Sequence, residues 1–343
     1  MKAVGLKQYL PIDHPESLID FEAPRPEPAG RDLLVAVHAI AVNPVDTKVR
    51  APKGDARTED PPRILGWDAS GIVEAVGPDA TLFKPGDAVY YAGDITRPGS
   101  NAQYQCVDER IVGPKPATLS HAQAAALPLT TITAYEAFFD RLGIDRDGAN
   151  AGQALLIIGG AGGVGSIGIQ LAKHAGLRVI ATASRTESIQ WVRSMGADDV
   201  INHREPLRPQ VEALGLNTLD HIAIFNDTDG HWPAAADLIR PQGTIVSIVE
   251  NAGPLAMGAM KTKAASFAWE FMFTRAMFQT ADMIEQHRLL KWVTNEIDAG
   301  RIKTTVSQVV SPINAQNLRQ AHAALEAGSA TGKIVLEDFA STL

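Results

Sequence analysis

A single cysteine, Cys106, is all the thiol chemistry this chain of 343 residues carries. A disulfide framework is therefore impossible, and a cysteine-built zinc cluster is excluded. Blocks of like charge are missing as well. The 31 basic and 39 acidic residues are interspersed and give a formal net charge of −8, so neither nucleic acid nor an anionic membrane surface is indicated as a partner. No internal repeat or low-complexity tract stands out. The run from Met1 to Leu10 interrupts its apolar residues with Lys2 and Lys7 and lacks a signal-peptide core, so a soluble, cytoplasmic protein is expected. The longest apolar stretch is too rich in glycine to read as a membrane span.

That stretch is the most informative part of the chain. The β-branched run Ala154-Leu-Leu-Ile-Ile158 ends in clustered glycines, and Val164, Ile167, Leu171, Ala172 and Ala175 then recur on one face of a helix. A second strand-like run, Leu177 to Ala183, follows at once. Gly160, Gly162 and Gly165 have G-x-G-x-x-G spacing, and with Gly163 and Val164 they open the helix. Backbone N–H groups at a helix N-terminus can hold a pyrophosphate, and glycine lets the backbone approach it, so this segment predicts dinucleotide binding. An NAD-preferring site usually has Asp or Glu at the end of the second strand. Here Ser184-Arg185 stands there, a hydroxyl beside a guanidinium, which suits a 2′-phosphate and predicts NADP(H). His203, after the next strand end, is a further candidate for that phosphate, or an ordinary surface histidine.

Around this core the chain changes texture. Its first third is rich in strands and turns, with strand patterns at 33–42, 71–77 and 88–91 and extended proline crossings at Pro24, Pro26, Pro28 and Pro61-Pro62. From about Leu127 helices and strands alternate, with buried-strand candidates at 222–225 and 243–249. The closing strand Gly332 to Leu336 is expected to return to the first domain. The expected organisation is a dinucleotide-binding domain at 127–276, and a second domain built from 1–126 and 277–343. Asn226 falls at the carboxyl edge of the sheet, where ligands bind in such folds.

Asn43-Pro-Val-Asp46, the run Gly66-Trp-Asp-Ala-Ser-Gly-Ile-Val-Glu-Ala-Val-Gly77, Lys84-Pro-Gly-Asp87, Leu127 to Glu136 and the Gly162-Gly-Val-Gly165 loop together resemble the medium-chain dehydrogenase/reductase superfamily over essentially the whole chain. Within it the chain resembles the zinc-free quinone oxidoreductase branch, whose members are often labelled zinc-binding alcohol dehydrogenase family. The resemblance implies an α/β fold, with a Rossmann doubly wound parallel sheet plus a GroES-like β-rich catalytic domain, an active site between them, and a homodimer. Where zinc members carry a ligating cysteine and a Gly-His-Glu motif, this chain has Asn43 and Gly66-Trp67-Asp68. Tryptophan cannot ligate zinc and an amide is a poor substitute for thiolate, so no metal is expected.

Without a Lewis acid, the easier chemistry is hydride transfer to an acceptor that is already electron-poor, an apolar quinone or an α,β-unsaturated carbonyl. Asn43 is the first candidate for a donor to the carbonyl oxygen, or it only shapes an Asn-Pro turn. Asp46 is expected to anchor that turn or the nicotinamide ribose, and Trp67 to wall the pocket. Thr131, with Thr130, falls where the resemblance puts polar residues near the nicotinamide. The aromatic, methionine-rich segment 267–278 reads as an edge strand and dimer interface in preference to a lid, and the loops at 50–62, 92–103 and 251–279 shape the pocket. A zinc-dependent alcohol dehydrogenase and a non-catalytic NADPH-binding sensor are the competing readings.

Overall fold

The computed structural model describes residues 1–54, 57–328 and 330–339. Positions 55 and 56 of the 50–62 loop, and 329 and 340–343 of the C-terminal segment, lie outside the described residues. The chain forms two compact units, 1–129 with 273–343, and 130–272.

The second unit is a six-stranded, fully parallel sheet. Its strands lie in the order Asp199–Ile201, Arg178–Thr182, Ala154–Ile158, Leu219–Ile224, Ile239–Ser247, Ser266–Trp269. In chain order this is 3-2-1-4-5-6, the doubly wound arrangement whose order reverses beside the first strand. Every residue of Ala154–Ile158 is buried, as a strand covered on both faces requires. Leu156, Ile158, Ile180, Ile222, Ile224 and Ile245 gather into one apolar cluster with Trp232 and Leu238 from the helix Thr228–Leu238. The aromatic segment begins as the edge strand Ser266–Trp269 and continues into a short helix, Thr274–Met277. Trp269, Phe271, Met277 and Phe278 are exposed.

The first unit is β-rich. A seven-stranded sheet runs Val306–Val310, Lys333–Glu337, Asp32–Ala41, Ala69–Val76, Ala88–Tyr91, Val112–Pro114, with Tyr104–Asp108 also paired to Asp32–Ala41. Lys333–Glu337 lies antiparallel to Asp32–Ala41, with Val335 opposite Ala41, and parallel to the edge strand Val306–Val310, so this strand is paired on both sides. A three-stranded sheet places Lys2–Gln8 between Ile19–Glu22 and Thr58–Ile64. Part of the stretch read from sequence as a 50–62 loop is thus strand, because Pro61 and Pro62 tolerate the extended conformation of an edge position. This is the expected α/β architecture, a Rossmann sheet with a GroES-like β-rich unit. No described helix is long and apolar enough to cross a membrane.

Candidate active site and cofactor cradle

In the Rossmann unit, the chain leaves the strand Ala154–Ile158 through Gly159, whose φ of +90° is open to glycine, and enters the helix Gly163–His174 with Gly162 as its cap. The glycines have separable duties. A Cβ on Gly165 would lie 2.4 Å from the Gly159 carbonyl oxygen and 2.6 Å from the Gly160 Cα. One on Gly160 would meet the Ala181 Cβ at 2.8 Å, so both glycines are required for close packing of the loop. Gly162 is exposed, and its added Cβ would find nothing nearer than the Gly159 oxygen at 3.5 Å. Packing does not require a glycine there, whereas a ligand lying against the backbone does. With the unsatisfied first N–H groups of the helix, of which Gly163, Val164 and Gly165 are part, the loop fits a pyrophosphate. Ser166 fastens it by donating to the Gly162 carbonyl at 2.7 Å while accepting from the Trp191 indole N–H at 2.8 Å.

The remaining cofactor candidates gather along the same sheet edge. The Gly159 N–H donates to the Thr182 hydroxyl at 3.0 Å, tying the loop to the strand that leads into Ser184 and Arg185. Arg185 precedes the helix Thr186–Ser194, and its backbone N–H donates to the Ser188 hydroxyl at 3.1 Å. Thr182 pairs with Ile201, so the segments leading to Ser184 and to His203 leave the sheet from neighbouring strand ends. Its imidazole meets that of His231 edge-to-face at 6.3 Å, and burial, then the His231 charge, holds its pKa below the usual histidine range. Asn226 lies beside Gly159, at 3.3 Å from where a Cβ would stand.

In the β-rich unit, Asn43, Asp46 and Trp67 are buried together with Asp68 and, unforeseen from sequence, Lys333. Asn43 caps the helix Pro44–Arg50, and its N–H donates to Asp46 Oδ2 at 2.6 Å. Its side-chain Nδ2 donates to Asp68 Oδ2 at 2.8 Å and makes longer contacts, at 3.4 Å, with the carbonyls of Ala41 and Trp67. Asp68 Oδ1 accepts the Leu129 N–H at 2.8 Å, in the first turn of the helix Pro128–Tyr135, where a carboxylate complements the helix dipole. The Lys333 ammonium closes the cluster, donating to Val42 O at 2.9 Å, Asn43 Oδ1 at 2.5 Å and Asp68 Oδ2 at 2.9 Å. Burial pushes the Asp46 carboxyl up to about 7, against the Asn43 N–H and the Lys333 charge, which pull it down. Burial also raises Asp68, again against Lys333. The Trp67 indole donates to the Asp94 carbonyl at 3.3 Å and packs edge-on against Phe273 at 6.1 Å.

Thr131 lies on the helix Pro128–Tyr135, its hydroxyl buried and without a hydrogen-bond partner. Glu136, immediately after that helix, meets Glu270 in a buried carboxyl pair that sequence gave no reason to join. Burial first, and the Glu136 charge second, pushes Glu270 up to about 9, while Arg141 donates to it at 2.9 Å. Cys106 sits on a strand, with burial and then the Asp32 charge raising its thiol to about 11, so it is a poor nucleophile.

Comparison with known proteins places these features in context. An alcohol dehydrogenase GroES-like domain model matches residues 29–117, and a zinc-binding dehydrogenase model matches residues 195–336. A zinc-type alcohol dehydrogenase-like protein of Staphylococcus aureus is 44% identical over 98% of this chain and 99% of its own length. The chloroplastic NADPH-dependent alkenal/one oxidoreductase of Arabidopsis thaliana is 31% identical, over 91% of this chain and 73% of its own. A crystal structure from Rhizobium etli, of a protein provisionally named a zinc-dependent alcohol dehydrogenase, is 52% identical, with a TM-score of 0.94 and 99% of each chain covered.

Three of those names invoke zinc, and the residues here do not suit it. The matching positions offer an amide with both ends engaged, an indole, and a carboxylate whose oxygens already accept from Leu129, Asn43 and Lys333. Among the described residues no group of three or more His, Cys, Asp or Glu is placed to hold a metal ion.

Proposed function

This chain belongs to the medium-chain dehydrogenase/reductase superfamily, and we propose that within it the protein is an NADPH-dependent, zinc-independent reductase of quinones or α,β-unsaturated carbonyls. One observation carries the reading. At the positions where zinc members hold their metal, the donors are spent on one another and on a lysine. An alcohol hydroxyl has no Lewis acid there to acidify it, whereas a quinone or enone is polarised before it arrives. The alkenal/one reductase among the relatives supports the same acceptor class.

NADPH would lie on the Gly159–Gly165 loop, with its 2′-phosphate between Ser184 and Arg185, and when bound it supplies the hydride. The chain's own residues position and shield. Gly162 gives the pyrophosphate its approach, and Asn226 borders the loop beside Gly159. Asn43 has one Nδ2 hydrogen committed only to the 3.4 Å contacts, and that hydrogen is the donor offered to an acceptor oxygen as negative charge develops on it. Asp46 anchors the turn that holds Asn43, Trp67 walls the pocket, and the unpartnered Thr131 hydroxyl faces the nicotinamide. The working assembly in this reading is a cytoplasmic homodimer.

The test is consumption of NADPH, followed by its absorbance, with a simple 1,4-quinone and with an alkenal, using chelator-treated protein. Turnover with either is expected. Alcohol oxidation that requires one zinc per chain would reverse the reading, and tight NADPH binding without turnover on either acceptor would favour a sensor.

A further inference from the structure

Lys333 is buried, and its surroundings are those of a bound cation more than of a surface ion pair. Three oxygens converge on the ammonium, from Val42 O, Asn43 Oδ1 and Asp68 Oδ2, and they equal its three protons. The backbone around it is pinned. The Lys333 N–H donates to Thr305 O at 2.9 Å, and the Val42 N–H donates to Ile334 O at 3.1 Å, which holds the lysine's strand against the chain leading into Asn43. Two of the three oxygens come from Asn43, which matches the ligating cysteine of the zinc members, and from Asp68, which follows Trp67, the match of their ligating histidine. The third belongs to the residue before Asn43.

We propose that Lys333 is the resident cation of this site, a tethered ammonium standing where zinc members of the superfamily hold their metal, and that it keeps divalent ions out. The inference rests on the zinc-independent reading above and names the residue responsible for it. The oxygen-only donor set is one an ammonium satisfies fully. A divalent ion touching Asp68 Oδ2 and Asn43 Oδ1 would have to share both oxygens with Nζ, putting like charges side by side in a dry interior where their repulsion is poorly screened. The lysine also balances the Asp68 carboxylate, its ion-pair partner at 2.9 Å.

Removing the ammonium while keeping the oxygens should therefore create a site for a hard cation. Manganese(II), a probe suited to carboxylate and carbonyl oxygens, is titrated into the wild type, Lys333→Ala and Lys333→Ala/Asp68→Asn, with bound metal counted by electron paramagnetic resonance. The expected result is no such site in the wild type, one per chain in Lys333→Ala with affinity at least tenfold above background, and its loss in the double variant. Lys333→Ala that folds and binds no more manganese than wild type overturns the proposal. Should that variant fail to fold, zinc content decides: wild type purified from zinc-supplemented culture is expected to hold well under one zinc per chain, and a full equivalent that Asp68→Asn abolishes overturns it. Neither readout uses turnover, so an inactive enzyme would count against the proposed reaction and leave this test standing.

Discussion

Asp46→Asn is the most exacting probe of the buried cluster, because its effect depends on pH in a calculable way. The native carboxyl is held at about 7 against 3.8 for the ordinary group, chiefly through burial. The folded protein thus keeps this proton where the unfolded chain has lost it, and native protein binds more protons between about pH 4 and about pH 7. Stability contributed by the group is present below pH 4, is lost as pH rises through that window, and is level above it. A difference of about three units at about 1.4 kcal/mol each amounts to ~4 kcal/mol. Asparagine does not titrate, and its Oδ1 can still accept the Asn43 N–H that Asp46 Oδ2 receives at 2.6 Å. Charge repulsion of Asp68, which the wild-type carboxylate exerts, disappears as well. Urea unfolding of both proteins from pH 4 to pH 8.5, with amide exchange in the helix Pro44–Arg50 localising the effect, should show the variant gaining on wild type by ~4 kcal/mol across the window and then running parallel. Curves that stay parallel throughout would mean that Asp46 titrates in the native state as it does in the unfolded chain, and the burial argument would be wrong.

The cofactor cradle makes two further predictions. Gly162→Ala should fold with an unchanged melting temperature yet bind NADPH at least ~10-fold more weakly, whereas Gly165→Ala, whose Cβ has no room at 2.4 Å from the Gly159 oxygen, should lose stability and binding together. Equal behaviour of the two by calorimetry and cofactor titration would refute the division of labour. Arg185→Ala should raise the NADPH dissociation constant ~10- to 100-fold, the equivalent of losing about 1.5–3 kcal/mol from a charge-assisted contact, with NADH hardly affected. An equal loss for both cofactors sinks the 2′-phosphate assignment.

The Rossmann half was legible because its signals are local. A β-branched run, a glycine turn and an apolar helical face lie within two dozen residues, and the structure places the strand at Ala154–Ile158 and the helix at Gly163–His174. Gly159 escaped notice because G-x-G-x-x-G spacing begins one residue later, and only the backbone reveals its φ of +90°. The 50–62 stretch reads as a loop even though Pro61-Pro62 marks it as extended, because the pairing of Thr58–Ile64 with Lys2–Gln8 across fifty residues is not a local property. Lys333 was hidden for the same reason. At the head of a strand a lysine reads as a solvated end, and nothing in Gly332-Lys-Ile-Val-Leu336 says that Asp68 waits 265 residues away. Glu136 and Glu270 likewise become a pair only in the fold.

The lysine also bears on which substrates the site can serve. A catalytic zinc polarises its substrate because it keeps one coordination position open. The Lys333 ammonium keeps none, since Val42, Asn43 and Asp68 take all three of its protons. Prising one loose for a substrate oxygen would leave a buried acceptor bare, at about 1–3 kcal/mol for a neutral oxygen and more for Asp68. In the proposed reading the cluster holds its geometry and offers the spare Asn43 hydrogen, and with all three ammonium protons taken it has no means to generate an alkoxide. An acceptor whose carbonyl is already conjugated needs only that one hydrogen bond as charge arrives on oxygen, and a saturated alcohol needs the step this cluster lacks. The ratio of enone reduction to alcohol oxidation should then be insensitive to added zinc in the wild type, and a rise in alcohol oxidation with zinc would break the link between the lysine and the acceptor class.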